Sequence, residues 1–494
     1  MLTTQIDMKP KVKEFLEGEI ELFIDGRFVP SVSGKTFETL NPATEEVLAV
    51  VCEAQEEDID LAVKAARRAF ESGSWPELSA AERSRLIYKF ADLIEEHREE
   101  LAQLEALDNG KPYTVALTDD IPATVEQFRY YAGWATKILG QTVPISKDYL
   151  NFTRHEPIGV VGQIIPWNYP LTMASWKMGA ALATGCTIVL KPAEQTPLSI
   201  LYAAKLLQEA GFPAGVVNIV PGFGQTAGAG IVNHPDVDKI AFTGSTVTGK
   251  YIMRQSAETI KNITLELGGK SPNIILEDAD LDEAIPGAFN GLMYNHGQNC
   301  SAGSRVFVHR KHYDKVVEEL ARMANNVKLG SGMDQEAEMG PVVSKRQFER
   351  VLSYIEKGKA EGARVAAGGG KAAEKGYFIQ PTVFADVTDD MVIAKEEIFG
   401  PVVVVLPFDT VEEVIERANN TPYGLAAGVW TKDIKTAHKV ANKLKAGTVW
   451  INDYNLEDPA AAFGGYKQSG IGREMGSYAL DNYTEVKSVW VNIK

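Results

Sequence analysis

From residue 157 onward, short apolar runs alternate with Pro/Gly turns and amphipathic stretches, and this alternation constrains the fold more than any other feature. "IGVVGQII" (158–165) reads as a buried strand, followed by "PWNYP" and a helix over 171–183. "CTIVL" (186–190) is the next strand; its helix opens at Thr196-Pro197, an N-cap with proline at the first helical position, and stops at Gly211. "VVNIV" and "KIAFT" follow as strands and "KYIMRQSAETI" as a helix. Apolar strands interleaved with helices argue an α/β fold with a parallel, doubly wound sheet.

After "LELGGKSPNIIL" the alternation resumes with new partners, including "RVFVHRKHYDKVVEELARMANNV" and "PVVVVLPFDTVEEVIERAN". Two α/β lobes joined near Gly268-Gly269 are expected. The helix-rich stretch from 55 to 138, with "YKFADLIEEHREELAQLEALD", belongs with the first lobe. The tail "NYTEVKSVWVNIK" alternates like a strand and has no partner nearby in sequence.

A length of 494 residues suits about three domains. The net charge of −16 disfavours nucleic acid and anionic membranes as partners. The first residues, "MLTTQIDMKPKVKEFLEGEI", contain no apolar signal core, and no apolar run approaches the ~20 residues of a membrane span, so a cytoplasmic protein is expected. Three cysteines do not make a disulfide framework.

Those cysteines differ in setting. Cys52 ("AVVCEA") and Cys186 ("ATGCTIVL") sit in apolar runs as small core residues, whereas Cys300 lies in "GQNCSAG" among small and polar neighbours, as a nucleophile would. His296, four residues before it, leaves a Cys–His hydrolase open if the two share a helical face. His309 and His312 lack an evident third ligand, so no metal is expected. "LELGG" places Glu266 between leucines, where a carboxylate is either ion-paired or has the raised pKa of a general base. "FTGSTVTG" and "PGFGQTAG" each resemble a phosphate-binding glycine turn with irregular spacing, and either also serves as a plain turn. "KPAE" puts Lys191 and Glu194 just after a strand, where a carboxylate takes ribose hydroxyls and repels a 2′-phosphate; a solvated loop is the alternative.

Taken in order, "IIPWNYP", "KPAEQTP", "FTGST", "LELGGKSPNI", "GQNCSAGSR", "EEIFGPV" and "FGGYKQSGIGRE" span most of the chain, and the set closely resembles the NAD-dependent, non-phosphorylating aldehyde dehydrogenases. It looks nearest to the broad-specificity group with retinal and acetaldehyde dehydrogenases and bacterial relatives. The resemblance implies a Rossmann-type cofactor domain (1–138 and 157–267), an α/β catalytic domain (268–483), and a small β oligomerisation flap (139–156 with 484–494) that builds a homotetramer. It implies NAD as cofactor and an aldehyde as the small-molecule substrate. Cys300 corresponds to the nucleophile, Asn168 to the oxyanion donor acting with the Cys300 backbone N–H, and Glu266 to the general base. Ile164, Pro166, Trp167, Lys191, Glu194, Gly224, Phe242, Gly244, Ser245, Leu267, Gly268, Glu397 and Phe399 match cofactor contacts. Ala123, Tyr169, Met173, Trp176, Tyr294, Asn299, Ser301, Glu457 and Phe463 match the substrate pocket. Glu457 departs from the family's usual apolar lining, and Ala123 implies a wide entrance. A CoA-acylating or NADP-preferring relative, and a structural protein that has lost activity, are the competing readings on this scaffold. Glu266 speaks against acyl transfer to CoA, Glu194 against NADP, and Cys300, Glu266 and Asn168 together against a silent scaffold.

Overall fold

In the computed structural model, which describes residues 5–494, the parallel alternation resolves into two large sheets. The first has eight strands in the order 470–471, 262–266, 239–243, 160–164, 187–191, 217–219, 22–24 and 27–29. Its central strands, Asn262–Glu266 through Val217–Ile219, run parallel, and their residues are buried apart from the start of Asn262–Glu266. Burial on both faces is why these segments read as continuous apolar runs. The second sheet has seven strands, in the order 364–367, 382–385, 402–408, 305–309, 272–275, 426–430 and 448–451. All but Arg364–Ala367 are parallel.

The chain passes from one sheet to the other between Glu266 and Pro272, at the Gly268-Gly269 pair. It also comes back: Gly470–Ile471 pairs antiparallel with Leu265 and Glu266 at the edge of the first sheet. The tail strand Thr484–Asn492 finds its partner far back in sequence, pairing antiparallel with Tyr149–Pro157, which also carries Thr142–Val143.

Helix Pro170–Thr184 is buried along its whole length and ends at Gly185, whose φ of 98° suits a left-handed cap. An all-round apolar helix belongs inside the protein. The helix expected to open at Thr196-Pro197 begins one residue later: Pro197 is the N-cap of Leu198–Ala210, and Gly211 ends it with φ 93°. Two sets of strands were not anticipated, the hairpin 22–24/27–29 on the first sheet and the small sheet of 19–20, 47–52 and 36–40. Leu22–Ile24 and Arg27–Val29 are only three residues each, too short for a periodicity to show, and Thr36–Leu40 alternates between exposed and buried positions instead of forming an apolar run. Among the described residues no helix is long and apolar enough to cross a membrane.

Candidate active site

The site follows from the register of the first sheet. Thr243 pairs with Glu266, Phe242 with Ile164, and Ile164 with Lys191, so four adjacent parallel strands end together at one edge. Ligands of open α/β sheets collect outside such carboxyl ends. The loops leaving this edge carry Pro166, Trp167 and Asn168, then Glu194, then Gly244 and Ser245, then Leu267 and Gly268, and all of them line one cleft of about 1490 Å³.

At one end of the cleft, Ser245 N-caps helix Thr246–Ser256 by accepting from the Thr248 N–H at 3.2 Å, and Val247 beside it is 80% exposed. The first-turn amides of the helix therefore face the cleft with a partial positive charge. Gly244 is required here because a Cβ would run into the Phe242 ring, while at Gly224 the space is open. Lys191 is buried, donates to the Pro192 carbonyl at 2.7 Å and lies 3.6 Å from the Glu194 carboxylate; burial lowers its pKa. Across the cleft Glu397 accepts from the Gly269 N–H at 3.0 Å, and burial pushes its carboxyl up to about 7. A side chain on Gly268 would collide with that carboxylate. Phe399 meets Trp167 edge-on at 5.2 Å; its φ of 62° is held by Gln347, which donates to the Phe399 carbonyl at 2.7 Å. A carboxylate at a strand end, a glycine cradle, a helix N-terminus and a second carboxylate across the cleft fit the donor set a dinucleotide requires.

The cleft continues to Cys300, Glu266 and Asn168. Cys300 is half-buried, and among the described residues its sulfur makes one hydrogen-bond contact, a long one to the Asn299 Oδ1 at 3.9 Å. Its backbone N–H has no acceptor among the described residues. Burial, then the charge of Glu266, raises the thiol pKa. Asn168 is buried and donates from Nδ2 to the Gln298 carbonyl at 3.0 Å, which leaves its second amide hydrogen free. Glu266 is 3% exposed and neither carboxylate oxygen has a hydrogen-bond partner among the described residues. Burial first, then the neighbouring Glu474, drives its pKa well above the usual carboxylate range. Gly464 leaves it room, since a Cβ there would come within 2.7 Å of Oε1.

Around Cys300 the cleft is walled by Tyr169, Met173, Trp176, Tyr294, Phe463, Ala123, Asn299 and Glu457. Met173 and Trp176 sit one turn apart on helix Pro170–Thr184, and Trp176 packs against Phe463 at 5.2 Å. Ser301 is a correction. It is buried and does not line the cleft; its N–H and hydroxyl both bond to Asn299 Oδ1, so it orients its neighbour rather than meeting substrate. Glu457 is exposed at the mouth. The surrounding walls and the charge of Asp120 push its pKa upward, and contact with water limits that rise.

His296 is not on a helical face shared with Cys300. Asn295, His296 and Gly297 all have positive φ, and the His296 Nε2 accepts from the Gly340 N–H at 2.9 Å. Burial and the charge of Lys111 push its pKa down to about 3, so it stays a neutral structural acceptor. The Cys–His arrangement is absent.

Several functional neighbours went unread in the sequence. Lys177 is fully buried and holds Glu474 at 2.5 Å and the Thr243 hydroxyl at 2.7 Å, setting the charge beside Glu266. The legible signal was a lysine inside an otherwise apolar helix. Asp119 and Asp120 enter the cleft from a π-helical turn, Ala116–Asp120, and no local pattern announces such a turn.

Residues 28–489 match the sequence profile of the aldehyde dehydrogenase family, and the chain belongs to that family. It is similar to the aldehyde dehydrogenase of Bacillus cereus solved as its NAD+ complex, at 81% identity and a TM-score of 0.99, covering 99% of this chain and 100% of that one. It is 57% identical to the mitochondrial aldehyde dehydrogenase family 2 member B4 of Arabidopsis thaliana, across 95% of this chain and 87% of that protein. Betaine aldehyde dehydrogenase of Staphylococcus aureus, solved with NAD+, superposes with a TM-score of 0.96 at 44% identity, covering 98% of this chain and 97% of that one.

Alkylation of Cys300 in the cofactor-free protein should report its raised thiol pKa. Only the thiolate reacts, so the rate of iodoacetamide labelling is expected to climb continuously from pH 6 to beyond pH 9. A plateau below pH 8, followed by mass spectrometry of the Cys300 peptide, would show an already ionised thiol.

Proposed function

We propose that this protein oxidises aldehydes to carboxylic acids with NAD and water through a covalent intermediate on Cys300. The observation that carries the reading is a half-buried thiol in the same cleft as an unpartnered, buried carboxylate, beside two free N–H donors. NAD would be held by Lys191 and Glu194 at its adenosine ribose, by Gly244, Ser245 and the following helix start at its pyrophosphate, and by Glu397 and Phe399 at the nicotinamide end. Ile164, Pro166, Trp167, Gly224, Phe242, Leu267 and Gly268 would complete its walls, and the bound cofactor supplies the hydride acceptor.

The residues of the chain do the rest. The Cys300 thiolate adds to the aldehyde carbon, and the carbonyl oxygen takes the electron pair as an alkoxide. Asn168 Nδ2 and the Cys300 N–H stabilise that oxygen, donors of the kind whose individual loss costs roughly 10²–10³-fold in rate. Loss of hydride leaves an acyl thioester on Sγ. Glu266 takes a proton from water, the hydroxide adds to the acyl carbon, and the C–S bond breaks to release acid and regenerate the thiolate. An unpartnered Glu266 carboxylate is a stronger base than a solvated one, and burial excludes competing water.

Tyr169, Met173, Trp176, Tyr294 and Phe463 favour apolar chains, aliphatic, aromatic or retinal-like, with Ala123 leaving the entrance wide; buried area contributes about 25 cal/mol per Å². A second reading, a betaine- or aminoaldehyde-type substrate, is supported by Asp119 joining Glu457 on the cleft wall near the tyrosines, where a cation gains charge and cation–π attraction. We also propose three units: a cofactor domain (1–138 and 157–267), a catalytic domain (268–483), and a flap (139–156 with 484–494) that assembles homotetramers. The half- to well-exposed Val486, Trp490 and Val491 on the tail strand support the assembly role.

Cys300→Ala should abolish NADH formation while NAD still binds. Glu266→Gln should preserve a single-turnover NADH burst and then stall, because the amide cannot take a proton from water. The wild-type steady-state rate should rise with pH as the elevated Glu266 pKa is crossed, since only the ionised form is a base, and the substitution should flatten that limb. Loss of the burst together with the steady state would instead assign Glu266 to activating Cys300.

NAD should be preferred over NADP because Glu194 faces the 2′-phosphate with like charge, and Glu194→Ser should narrow the gap. Equal kcat/KM for the two cofactors in the wild type would contradict this role.

The substrate class is decided by kcat/KM for hexanal, retinal and betaine aldehyde in the wild type and in Glu457→Gln. The apolar reading expects hexanal or retinal to lead and the substitution to change little. Betaine aldehyde leading, with its advantage selectively removed in Glu457→Gln, would establish the cationic reading instead.

A further inference from the structure

Lys111 is 1% exposed and does not line the cleft, yet its ammonium contacts the backbone of Asn168, whose side chain does. It pairs with the Asp120 carboxylate, donates to the Asn168 carbonyl at 3.2 Å, lies 3.8 Å from Glu105 and sits 4.5 Å above the Tyr169 ring. The Asn168 carbonyl also receives Asn295 Nδ2 at 2.9 Å and Asn109 Nδ2 at 3.4 Å. Three side chains thus converge on one backbone oxygen, and the side chain of that same residue has one amide hydrogen on Gln298 and one free. Fixing the carbonyl fixes the peptide plane from which Asn168 projects. With the Gln298 bond defining the second point, the direction of the free N–H is set.

A buried lysine–carboxylate pair is a poor way to gain stability, because desolvation offsets most of the Coulomb attraction and apolar packing serves as well. Here the pair does something apolar packing cannot. It anchors the π-helical turn that ends at Asp120 to the peptide before helix Pro170–Thr184. We propose that Lys111 is a positioning residue for catalysis: it holds the Asn168 peptide and the Tyr169 ring so that the free Asn168 amide hydrogen aims at the oxygen of the Cys300 adduct. This rests on the oxyanion role assigned to Asn168 above.

The test is a double-substitution cycle on the full-length protein, read as the NADH burst rate, with NAD affinity followed by fluorescence titration. Lys111→Met should slow the burst by about 10- to 100-fold, less than the roughly 10²–10³-fold expected for direct loss of a donor. NAD affinity should be unchanged, and Lys111→Arg should recover much of the loss. In an Asn168→Ala background, Lys111→Met should cost less than about threefold more, since residues acting through one another are non-additive. Multiplying losses, or an unaltered burst in Lys111→Met, would overturn the proposal while leaving Asn168 in place. An unaltered burst in Asn168→Ala alone would instead overturn the oxyanion assignment. If Lys111→Met does not fold, Asn295→Gly removes another donor to the same carbonyl at a residue whose φ of 49° glycine accepts freely, and the same cycle decides.

Discussion

The in-register pairing of four parallel strands is the constraint on which the rest of the molecule depends. Because Lys191, Ile164, Phe242, Thr243 and Glu266 end together, residues as distant in sequence as Ile164 and Phe242 are brought within one strand spacing, about 4.8 Å, of each other. A shift of one residue in any strand would turn its last side chain to the opposite face. The glycines after these strands then serve a plain steric purpose. Gly244 clears Phe242 and Gly268 clears Glu397, so the backbone itself forms the floor of the cleft.

Upon that frame the site holds an electrostatic tension. Glu266 is buried without a hydrogen bond, beside a second carboxylate, Glu474, that Lys177 neutralises. Had Lys177 or Arg473 reached Glu266 directly, its proton affinity would fall and its capacity as a base with it. The same burial keeps the Cys300 thiol protonated until something lowers the cost of ionising it. Local backbone strain accompanies this arrangement: Asn295 and His296 occupy the left-handed region a few residues before Cys300, and Phe399 does so two residues after Glu397. Gly297 is pressed so closely on the Gly400 carbonyl that no side chain fits, and the nucleophile turn and the Phe399 wall are thereby in contact.

What the sequence made legible follows from range. The buried strands are unbroken apolar runs with turn residues at both ends, and "KIAFT" coincides with its strand residue for residue. Cys300 and Glu266 stand out because each contradicts its surroundings, a thiol among polar residues and a carboxylate among leucines. Ser301 was misplaced because adjacency to the nucleophile says nothing about which way a side chain turns, and two bonds to Asn299 turn it inward. Lys111, Asp119 and Asp120 escaped notice because their roles exist only after the π-helical turn and the start of helix Pro170–Thr184 come together. His296 misled because i, i+4 spacing implies a shared face only in a helix, and its backbone is left-handed instead.

The return of Gly470–Ile471 to the edge of the first sheet has a consequence for how the chain is made. Synthesis proceeds from the N-terminus, yet the strand ending in Glu266 gains its outer neighbour only when residue 471 has emerged, and Lys177 its counter-ion only with Glu474. The first lobe therefore leaves the ribosome with an open β edge and an unpaired interior cation, waiting on some two hundred further residues. Long-range closure of this kind is slow and exposes aggregation-prone edges. The nascent chain is thus at its most vulnerable after its first lobe has been translated and before its last few dozen residues arrive, and truncation near the C-terminus would damage the half of the protein that was made first.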